Sequence, residues 1–251
     1  MGIYGYYEWR ILAIAGSVCS PGDTIVEVGA NVGTETLGFS DILGDSGVVH
    51  AFEPLPTNFA ALKLTLELNN ITNVILYPLV VGSEEKKLLF SVPADEQSSG
   101  SGHIVLNQPL KINRDQIEVN CTQLDSLLQE IQDVKLMAID AEGSEVMILQ
   151  GASELIQRDK PAIILEASQK LLARFDFSLS DLASYLTQNK YMIFRINRLG
   201  LKKNDKEIAG SKSNWLCLHE SKSGQLDNIK RYIRSCGLAP RIFGLNPLEK
   251  I

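Results

Sequence analysis

The stretch Asp23-Thr-Ile-Val-Glu-Val-Gly-Ala-Asn-Val-Gly33 decides the fold, because a short apolar run leads directly into a glycine-containing turn. Thr24–Val28 is predicted to be a buried strand. The glycines after it follow the spacing G-x-x-x-G, not the G-x-G-x-x-G of dinucleotide-binding loops. Glu27 lies two residues before the first glycine and favours a ligand with a cationic or hydroxyl-bearing part. The alternative is that Glu27–Gly33 is only a structural turn.

Alternating strands and helices continue from this stretch. Apolar runs predict strands over Val48–Phe52 and Asn73–Val81. Between the strands, Glu35–Leu43 and Thr57–Asn69 have the apolar spacing of helices. This β-α-β-α-β order predicts parallel strands joined by right-handed crossovers.

The regular pattern returns after residue 123. The predicted elements there are a helix over Leu124–Ile131, a strand over Lys135–Ile139, a helix from Val146 to Ile156, a strand over Pro161–Leu165, a helix over Leu179–Asn189 and a closing antiparallel pair, Tyr191–Ile196 with Asn214–His219. We therefore expect one α/β domain over residues 1–251. Residues 1–20 form its helical lead-in, and residues 221–251 form a C-terminal extension, a solvated helix and a loop packed on the domain.

A less regular segment, residues 83–123, separates the two halves. Possible short strands near Lys87–Val92 and Ile117–Cys121 flank a polar run rich in serine and glycine. This pattern predicts an inserted hairpin with a mobile tip, because glycine and serine favour loops. Long excursions in a compact domain are often functional, so we expect Ser98–Gly102 to belong to a lid over the substrate.

The composition of the chain limits the classes of binding partner and the cellular compartment that we expect. The chain has 24 Lys and Arg against 30 Asp and Glu, a net charge of −6, which disfavours nucleic acid and anionic membranes as partners. Its apolar stretches are strand-sized, and its N-terminus lacks a signal-peptide pattern, so we expect no membrane insertion. The four cysteines stand far apart in sequence and are expected to be separate buried thiols. That usage favours a reducing, cytoplasmic compartment.

Acidic residues are predicted to meet at one edge of the sheet, since the carboxyl ends of parallel strands share an edge. Glu53 ends the second strand, where a carboxylate can accept hydrogen bonds from both ribose hydroxyls of a nucleoside. The alternative is that Glu53 caps the helix that follows Pro54 and Pro56.

Three more acids follow the later strands of the predicted sheet. Asp140 ends the fourth strand and can receive a proton or orient a substrate hydroxyl. Asp140, Glu142 and Glu166, which ends the fifth strand, can alternatively hold a hard divalent cation such as Mg²⁺ through oxygen ligands. In a purely structural interpretation, Glu142 or Glu145 favours the start of the next helix.

One of the three histidines is a candidate general base. His103 lies beside the serine- and glycine-rich segment, within reach of a flexible lid. His50 falls inside a predicted strand and His219 ends the last one, so both are expected to be structural.

The motifs together resemble those of the FkbM-type family of S-adenosylmethionine-dependent methyltransferases. The resemblance runs from Pro21 to Ser168 and rests on DTIVEVGANVG, VVHAFEPLPTNFAALKLTLELNNITNVILYPLVVGS, IEVNCTQLDSLL, KLMAIDAEGSEVMILQGASELI and KPAIILEAS. Glu27 stands where the family usually has Asp, and Ala141 where it often has Val. The resemblance implies a Rossmann-like class I methyltransferase fold, a seven-stranded mostly parallel sheet with an antiparallel last strand and helices on both faces.

The resemblance also implies S-adenosyl-L-methionine as cofactor and O-methylation of a sugar, glycan or natural product. By motif match, the residues at the cofactor would be Glu27, Gly29, Ala30, Asn31, Gly33 and Glu53. Asp140 would lie near the reacting centre, with Glu142 and His103 as further catalytic candidates.

Three other functions are open. An NAD-dependent oxidoreductase would share the sheet but not the glycine spacing. A nucleic-acid methyltransferase would share the cofactor, but its amino-methylating members typically have an Asn/Asp-Pro-Pro-aromatic pattern at the fourth strand, where this chain has Asp-Ala-Glu-Gly. A non-enzymatic S-adenosylmethionine- or nucleotide-binding module would keep the pocket without the chemistry.

Overall fold

The computed structural model describes residues 8–92, 102–105, 116–197, 200–203 and 212–238. The strands are β1 Thr24–Val28, β2 Val48–Phe52, β3 Val74–Tyr77, β4 Val80–Val81, β5 Lys86–Ser91, β6 His103–Val105, β7 Gln116–Thr122, β8 Val134–Ile139, β9 Ala162–Ala167, β10 Tyr191–Asn197, β11 Gly200–Lys203 and β12 Ser213–His219. The helices are α1 Trp9–Val18, α2 Thr34–Leu43, α3 Pro56–Leu68, α4 Leu124–Leu127, α5 Glu145–Gln150, α6 Ser153–Asp159, α7 Gln169–Leu172, α8 Leu179–Gln188 and α9 Leu226–Leu238.

Eight strands form the main sheet, in the order β11-β10-β12-β9-β8-β1-β2-β3. Five neighbouring strands of this sheet are parallel to one another, namely β9, β8, β1, β2 and β3. Strand β12 runs antiparallel to both β9 and β10. The predicted mostly parallel α/β fold and its antiparallel closing pair are confirmed. The predicted count of seven strands is one too low, because β11 adds an antiparallel edge strand to β10.

A second sheet has the strand order β4-β7-β5-β6. The strands predicted near Lys87–Val92 and Ile117–Cys121 pair here as β5 and β7. The strand predicted over Asn73–Val81 is wrong as a single element. Pro78, which has no backbone N–H, separates β3 in the main sheet from β4 in the second sheet. Of the predicted lid, only Gly102 is among the described residues, and Ser98–Ser101 lie outside them.

Helices cover both faces of the main sheet and bury two apolar cores. On one face, α1, α2 and α9 pack through residues such as Leu12, Phe39 and Ile233. On the other face, α5, α6 and α8 pack through residues such as Leu149 and Leu182. The N-terminal and C-terminal helices α1 and α9 contact each other, and residues 239–251 of the C-terminal extension lie outside the described part.

Several element boundaries in the second half differ from the prediction. The helix predicted over Leu124–Ile131 is only the single turn α4. The helix expected from Val146 to Ile156 is divided into α5 and α6 near Gly151, where a Cβ would lie 1.9 Å from the Gly82 carbonyl oxygen. Strand β9 continues to Ala167, so Glu166 lies within the strand and does not follow it.

The four cysteines, Cys19, Cys121, Cys217 and Cys236, are buried and form no disulfide with one another, as predicted. Among the described residues, no helix combines the length and the apolar character needed to cross a bilayer.

Candidate functional site

A pocket of about 520 Å³ opens at the carboxyl ends of β1, β2, β8 and β9. Parallel α/β sheets bind their ligands at this edge. Residues of the second sheet, including Phe90 and Ile104, form another part of the wall, and Ile11 contributes from α1. The main sheet thus provides the polar side of the pocket, while the second sheet adds apolar groups.

The glycine loop, Gly29–Gly33, connects β1 to α2. The backbone N–H groups of Gly29 and Ala30 both donate to the Phe52 carbonyl oxygen, at 3.0 Å each. Gly29 has a φ of +88°, and a Cβ there would lie 1.9 Å from the Asp140 carbonyl oxygen. Glycine is therefore needed at position 29 both for its conformation and for the close approach of the backbone after β8.

The predicted cofactor residues of this loop do not all reach the pocket. Gly29 and Asn31 line it. Ala30 is buried in the core, and a Cβ on Gly33 would lie 2.3 Å from Leu62 Cδ1. Ala30 and Gly33 are not among the residues that line the pocket.

Glu27 is a buried carboxyl on the floor of the pocket. Its Oε2 lies 2.7 Å from Thr36 Oγ1, which donates a hydrogen bond to it. Burial, opposed by this hydrogen bond and reinforced by the charges of Glu35 and Glu53, raises the pKa of Glu27 to about 8. A cationic group in the pocket would favour the ionised form.

Glu53 is held by backbone donors on both of its carboxylate oxygens. Oε2 accepts from the Asn31 N–H at 2.8 Å, and Oε1 accepts from the Leu55 N–H at 2.9 Å. Burial raises the pKa of Glu53, although these hydrogen bonds act in the opposite direction. Asn31 has a φ of +52°, and its buried Oδ1 has no hydrogen-bond partner among the described residues. This places a fixed carboxylate beside an acceptor that a ligand hydroxyl or amine can satisfy.

Asp140 follows β8 and opens into the pocket. Its backbone N–H donates to the Val28 carbonyl oxygen at 2.9 Å, which joins it to the strand that precedes the glycine loop. Desolvation of the carboxyl by the surrounding protein, followed by the charge of Glu166, raises its pKa to about 7. An acid with this pKa is present in both protonation states near neutral pH, which suits proton transfer.

Asp140, Glu142 and Glu166 form an acid cluster, as the sequence predicts. Each contributes a carboxylate oxygen within 4.8 Å of the others. Lys212 Nζ lies 2.7 Å from Glu166 Oε1, and Arg174 Nη1 lies 3.7 Å from Glu142 Oε2. The cluster therefore has two cationic neighbours from the chain itself.

The sequence interpretation missed both cations. The signal for Lys212 was present, since it precedes the last predicted strand, which runs antiparallel to the strand that carries Glu166. The start of one strand then lies beside the end of the other. Arg174 gave no such signal, because it lies in the short 3₁₀ helix Ala173–Phe175, which the sequence pattern does not reveal.

His103 begins β6 in the second sheet and is half-buried. It does not line the pocket itself, although its neighbours Gly102 and Ile104 do. Burial raises the pKa of Glu142, and the charge of His103 opposes this rise, so His103 lies near the acid cluster. It is nevertheless not among the residues that line the pocket.

His50, His219 and Glu145 do not line the pocket, and each contacts a neighbouring group of the fold. His50 Nδ1 lies 2.9 Å from the Tyr77 hydroxyl, and His219 Nδ1 lies 2.8 Å from Ser221 Oγ. Glu145 begins α5 and accepts a hydrogen bond from the Gly143 N–H at 3.1 Å, in agreement with a role at the start of that helix.

Comparison with known proteins connects this site to one family. A profile of the methyltransferase FkbM domain matches residues 27–193, more than half of the chain. The 31-O-demethyl-FK506 methyltransferase FkbM of Streptomyces tacrolimicus is 26% identical over 159 residues, which cover 53% of this chain and 61% of that relative. The matched region thus spans less than two thirds of the relative.

The crystal structure of methyltransferase FkbM from Methylobacillus flagellatus has the same fold, with a TM-score of 0.52 and 18% identity over 79% of this chain and 44% of that one. Its likeness supports the Rossmann-like class I methyltransferase fold of the main sheet. With the profile match over most of that sheet, this chain belongs to the FkbM methyltransferase family.

Proposed function

We propose that this protein transfers a methyl group from S-adenosyl-L-methionine to a hydroxyl oxygen of a sugar, glycan or natural product. The observation that carries the proposal is the position of Asp140. Its carboxyl faces the pocket next to the glycine loop, and its pKa of about 7 lets it accept a proton near neutral pH. The Streptomyces relative is a 31-O-demethyl-FK506 methyltransferase, and this name supports an oxygen acceptor.

The pocket fits the cofactor by charge and by its unsatisfied groups. Glu27, Glu53 and Asn31 would hold the cofactor. Glu53 has lone pairs left for ribose hydroxyls, and Glu27 suits a ligand with positive charge. The buried Asn31 Oδ1 lacks a partner among the described residues, and a bound donor would remove that cost. When bound, the cofactor supplies a methyl group already activated on its sulfonium.

The chain has to align an oxygen nucleophile, take up its proton and exclude water. Asp140 accepts the hydroxyl proton or orients the hydroxyl, and the hydrogen bond from its backbone N–H to the Val28 carbonyl oxygen holds its main chain beside the glycine loop. Glu142 is proposed as a second polar group for the acceptor. His103 is the next candidate base if Asp140 proves to be structural.

A turnover assay with S-adenosyl-L-methionine and panels of neutral sugars, glycans and natural-product alcohols tests the proposal. We expect methylation of at least one hydroxyl class. RNA belongs in the same assay, since the arguments against nucleic acid are the net charge and the sequence Asp-Ala-Glu-Gly at the fourth predicted strand. Binding of S-adenosyl-L-methionine without turnover of any acceptor would favour the binding-module alternative. Preferential binding of NADH would favour the oxidoreductase.

A metal-assisted route is a second candidate. The spacing of the acid cluster supports this route. Its carboxylate oxygens lie within 4.8 Å of one another, and a divalent cation such as Mg²⁺ binds carboxylate oxygens. Loss of turnover on adding EDTA, with recovery on adding Mg²⁺, would favour this route. Unchanged turnover in EDTA would favour direct action by the Asp140 carboxylate.

A further inference from the structure

Lys212 lies against the acid cluster because of the strand register. Asn214 of β12 is paired with Glu166 of β9, and Lys212 precedes β12 by one residue. Its Nζ consequently lies 2.7 Å from Glu166 Oε1, at the pocket wall. The Lys212 side chain is 58% exposed, whereas the Glu166 side chain is 7% exposed. A largely solvent-exposed ammonium group therefore contacts a buried carboxylate.

The acid cluster needs a compensating positive charge. Like charges this close disfavour ionisation of one another unless a cation is near. The second oxygen of Glu166 is buried and has no hydrogen-bond partner among the described residues. Glu166 therefore depends on Lys212 as its hydrogen-bonded counterion, while Arg174 is farther away, at 3.7 Å from Glu142.

Lys212 stays charged in this position. A carboxylate oxygen 2.7 Å from Nζ favours the ammonium over the neutral amine, because the opposite charge stabilises it. An ammonium therefore lies against one of the carboxylates that a metal would use.

We infer that Lys212 is the resident cation of the acid cluster, and that it occupies the place of a divalent metal ion. It is a positioning residue, since it acts through Glu166 on the groups that face the acceptor. The inference goes beyond the proposed function. Among its tests, only the turnover measurement depends on that function. Its central consequence is that removal of the ammonium converts the cluster into a cation site.

Calorimetric titration with Mn²⁺, in the absence of cofactor, tests the inference on the full chain. We expect Lys212→Ala to bind Mn²⁺ at least about tenfold more tightly than the wild type, because a unit charge a few ångströms from a divalent ion is removed. Lys212→Arg keeps the charge and should bind as weakly as the wild type. The double variant Lys212→Ala, Glu166→Gln should lose the gain.

Lys87 provides a matched control. It is 63% exposed and forms a similar surface ion pair with Glu118 on the second sheet. Lys87→Ala should leave Mn²⁺ affinity at the wild-type value. Thermal unfolding of each variant establishes that it is folded, and Lys212→Gln replaces Lys212→Ala if the alanine variant is not.

Two results would overturn the inference. One is equal Mn²⁺ affinity of the wild type and Lys212→Ala, whether both bind tightly or both weakly. The other is wild-type turnover that requires Mg²⁺ and stops in EDTA, which would support methyl transfer but assign the cation role to a metal. If no acceptor is methylated at all, the proposed function fails while the Mn²⁺ comparison still decides the role of Lys212.

Discussion

Individual side chains in the pocket differ in how their partners are arranged, and this separates their expected roles. Glu53 receives hydrogen bonds from two backbone N–H groups, whereas the hydrogen bond that joins Asp140 to the described part of the sheet comes from its backbone N–H. A carboxylate fixed by backbone donors is suited to holding a ligand. A carboxyl that is free to exchange a proton is suited to the chemical step.

Replacing Asp140 by Asn should slow the chemical step. The amide keeps the shape but cannot take the proton, so we expect kcat to fall by about 10²–10⁴-fold. The affinity for S-adenosyl-L-methionine, measured by calorimetry, should stay near the wild-type value. Wild-type turnover in a folded Asp140→Asn variant would contradict the role of this acid and direct attention to His103.

Glu53→Ala should weaken cofactor binding. Loss of the carboxylate leaves buried donors unpaired, which costs about 1–3 kcal/mol, or about 5- to 150-fold in Kd. Glu67→Ala, an exposed acid on α3, is the control and should bind normally. Calorimetry on both variants checks the difference, and unchanged affinity in a folded Glu53→Ala variant would exclude the assignment.

The buried Glu27 makes stability depend on pH. Its pKa rises from an ordinary 4.5 to about 8 on folding, so between these values the folded chain holds a proton that the unfolded chain has released. The contribution of Glu27 to unfolding free energy therefore falls as pH rises through this window. Denaturant unfolding of the ligand-free protein at pH 5 and pH 8 should show a smaller loss for Glu27→Gln than for the wild type. Equal losses would show that Glu27 titrates normally.

The residues of the site were predictable to the extent that they end strands. Apolar runs in the sequence predict where the strands end. Glu27, Glu53 and Asp140 lie at or next to the carboxyl ends of these strands and line the pocket. Lys212 was not recognised although it precedes a predicted strand, because its contact with Glu166 depends on the register between that strand and the distant β9. The positions of Ala30 and Gly33 also depend on tertiary contacts, because Ala30 packs in the core and Gly33 lies against Leu62.

Among the elements, β1 and β2 have the predicted bounds, because continuous apolar runs are typical of strands buried on both faces. Elements whose ends depend on distant contacts were less predictable. The division of the helix after Glu145 depends on the approach of Gly151 to Gly82, and no local pattern records that contact.

The turn between β1 and α2 allows a matched test of close backbone approach. Gly29 and Gly22 have nearly the same φ, +88° and +93°, but a Cβ at position 22 would meet only Ser46 Oγ, at 3.5 Å. Gly22→Ala should cost about 1–2 kcal/mol for its left-handed conformation. Gly29→Ala should cost distinctly more, because the Asp140 carbonyl oxygen is backbone and has to move. Denaturant unfolding measures both, and equal losses would contradict the importance of the contact.

Across the whole molecule, the two ends of the described chain share one core. Ile233 of α9 is buried with α1 and α2 against the main sheet. Ile233→Ala should lower the unfolding free energy by about 2–5 kcal/mol, through lost apolar burial and the cavity that remains. The exposed neighbour Arg234→Ala should change it by less than about 0.5 kcal/mol. A small effect at Ile233, measured by denaturant unfolding, would show that α9 is not part of the cooperative unit.

The division of the pocket between two sheets also affects how the protein can evolve. Glu27, Glu53 and Asp140 come from the main sheet, whereas Phe90 and Ile104 come from the second one. Substitutions at these apolar positions can reshape one wall without touching the carboxylates proposed for the cofactor and the proton. Under the proposed function, selection for a new acceptor would act on a separate set of codons, so descendants would diversify in substrate while they inherit the residues proposed for the methyl donor.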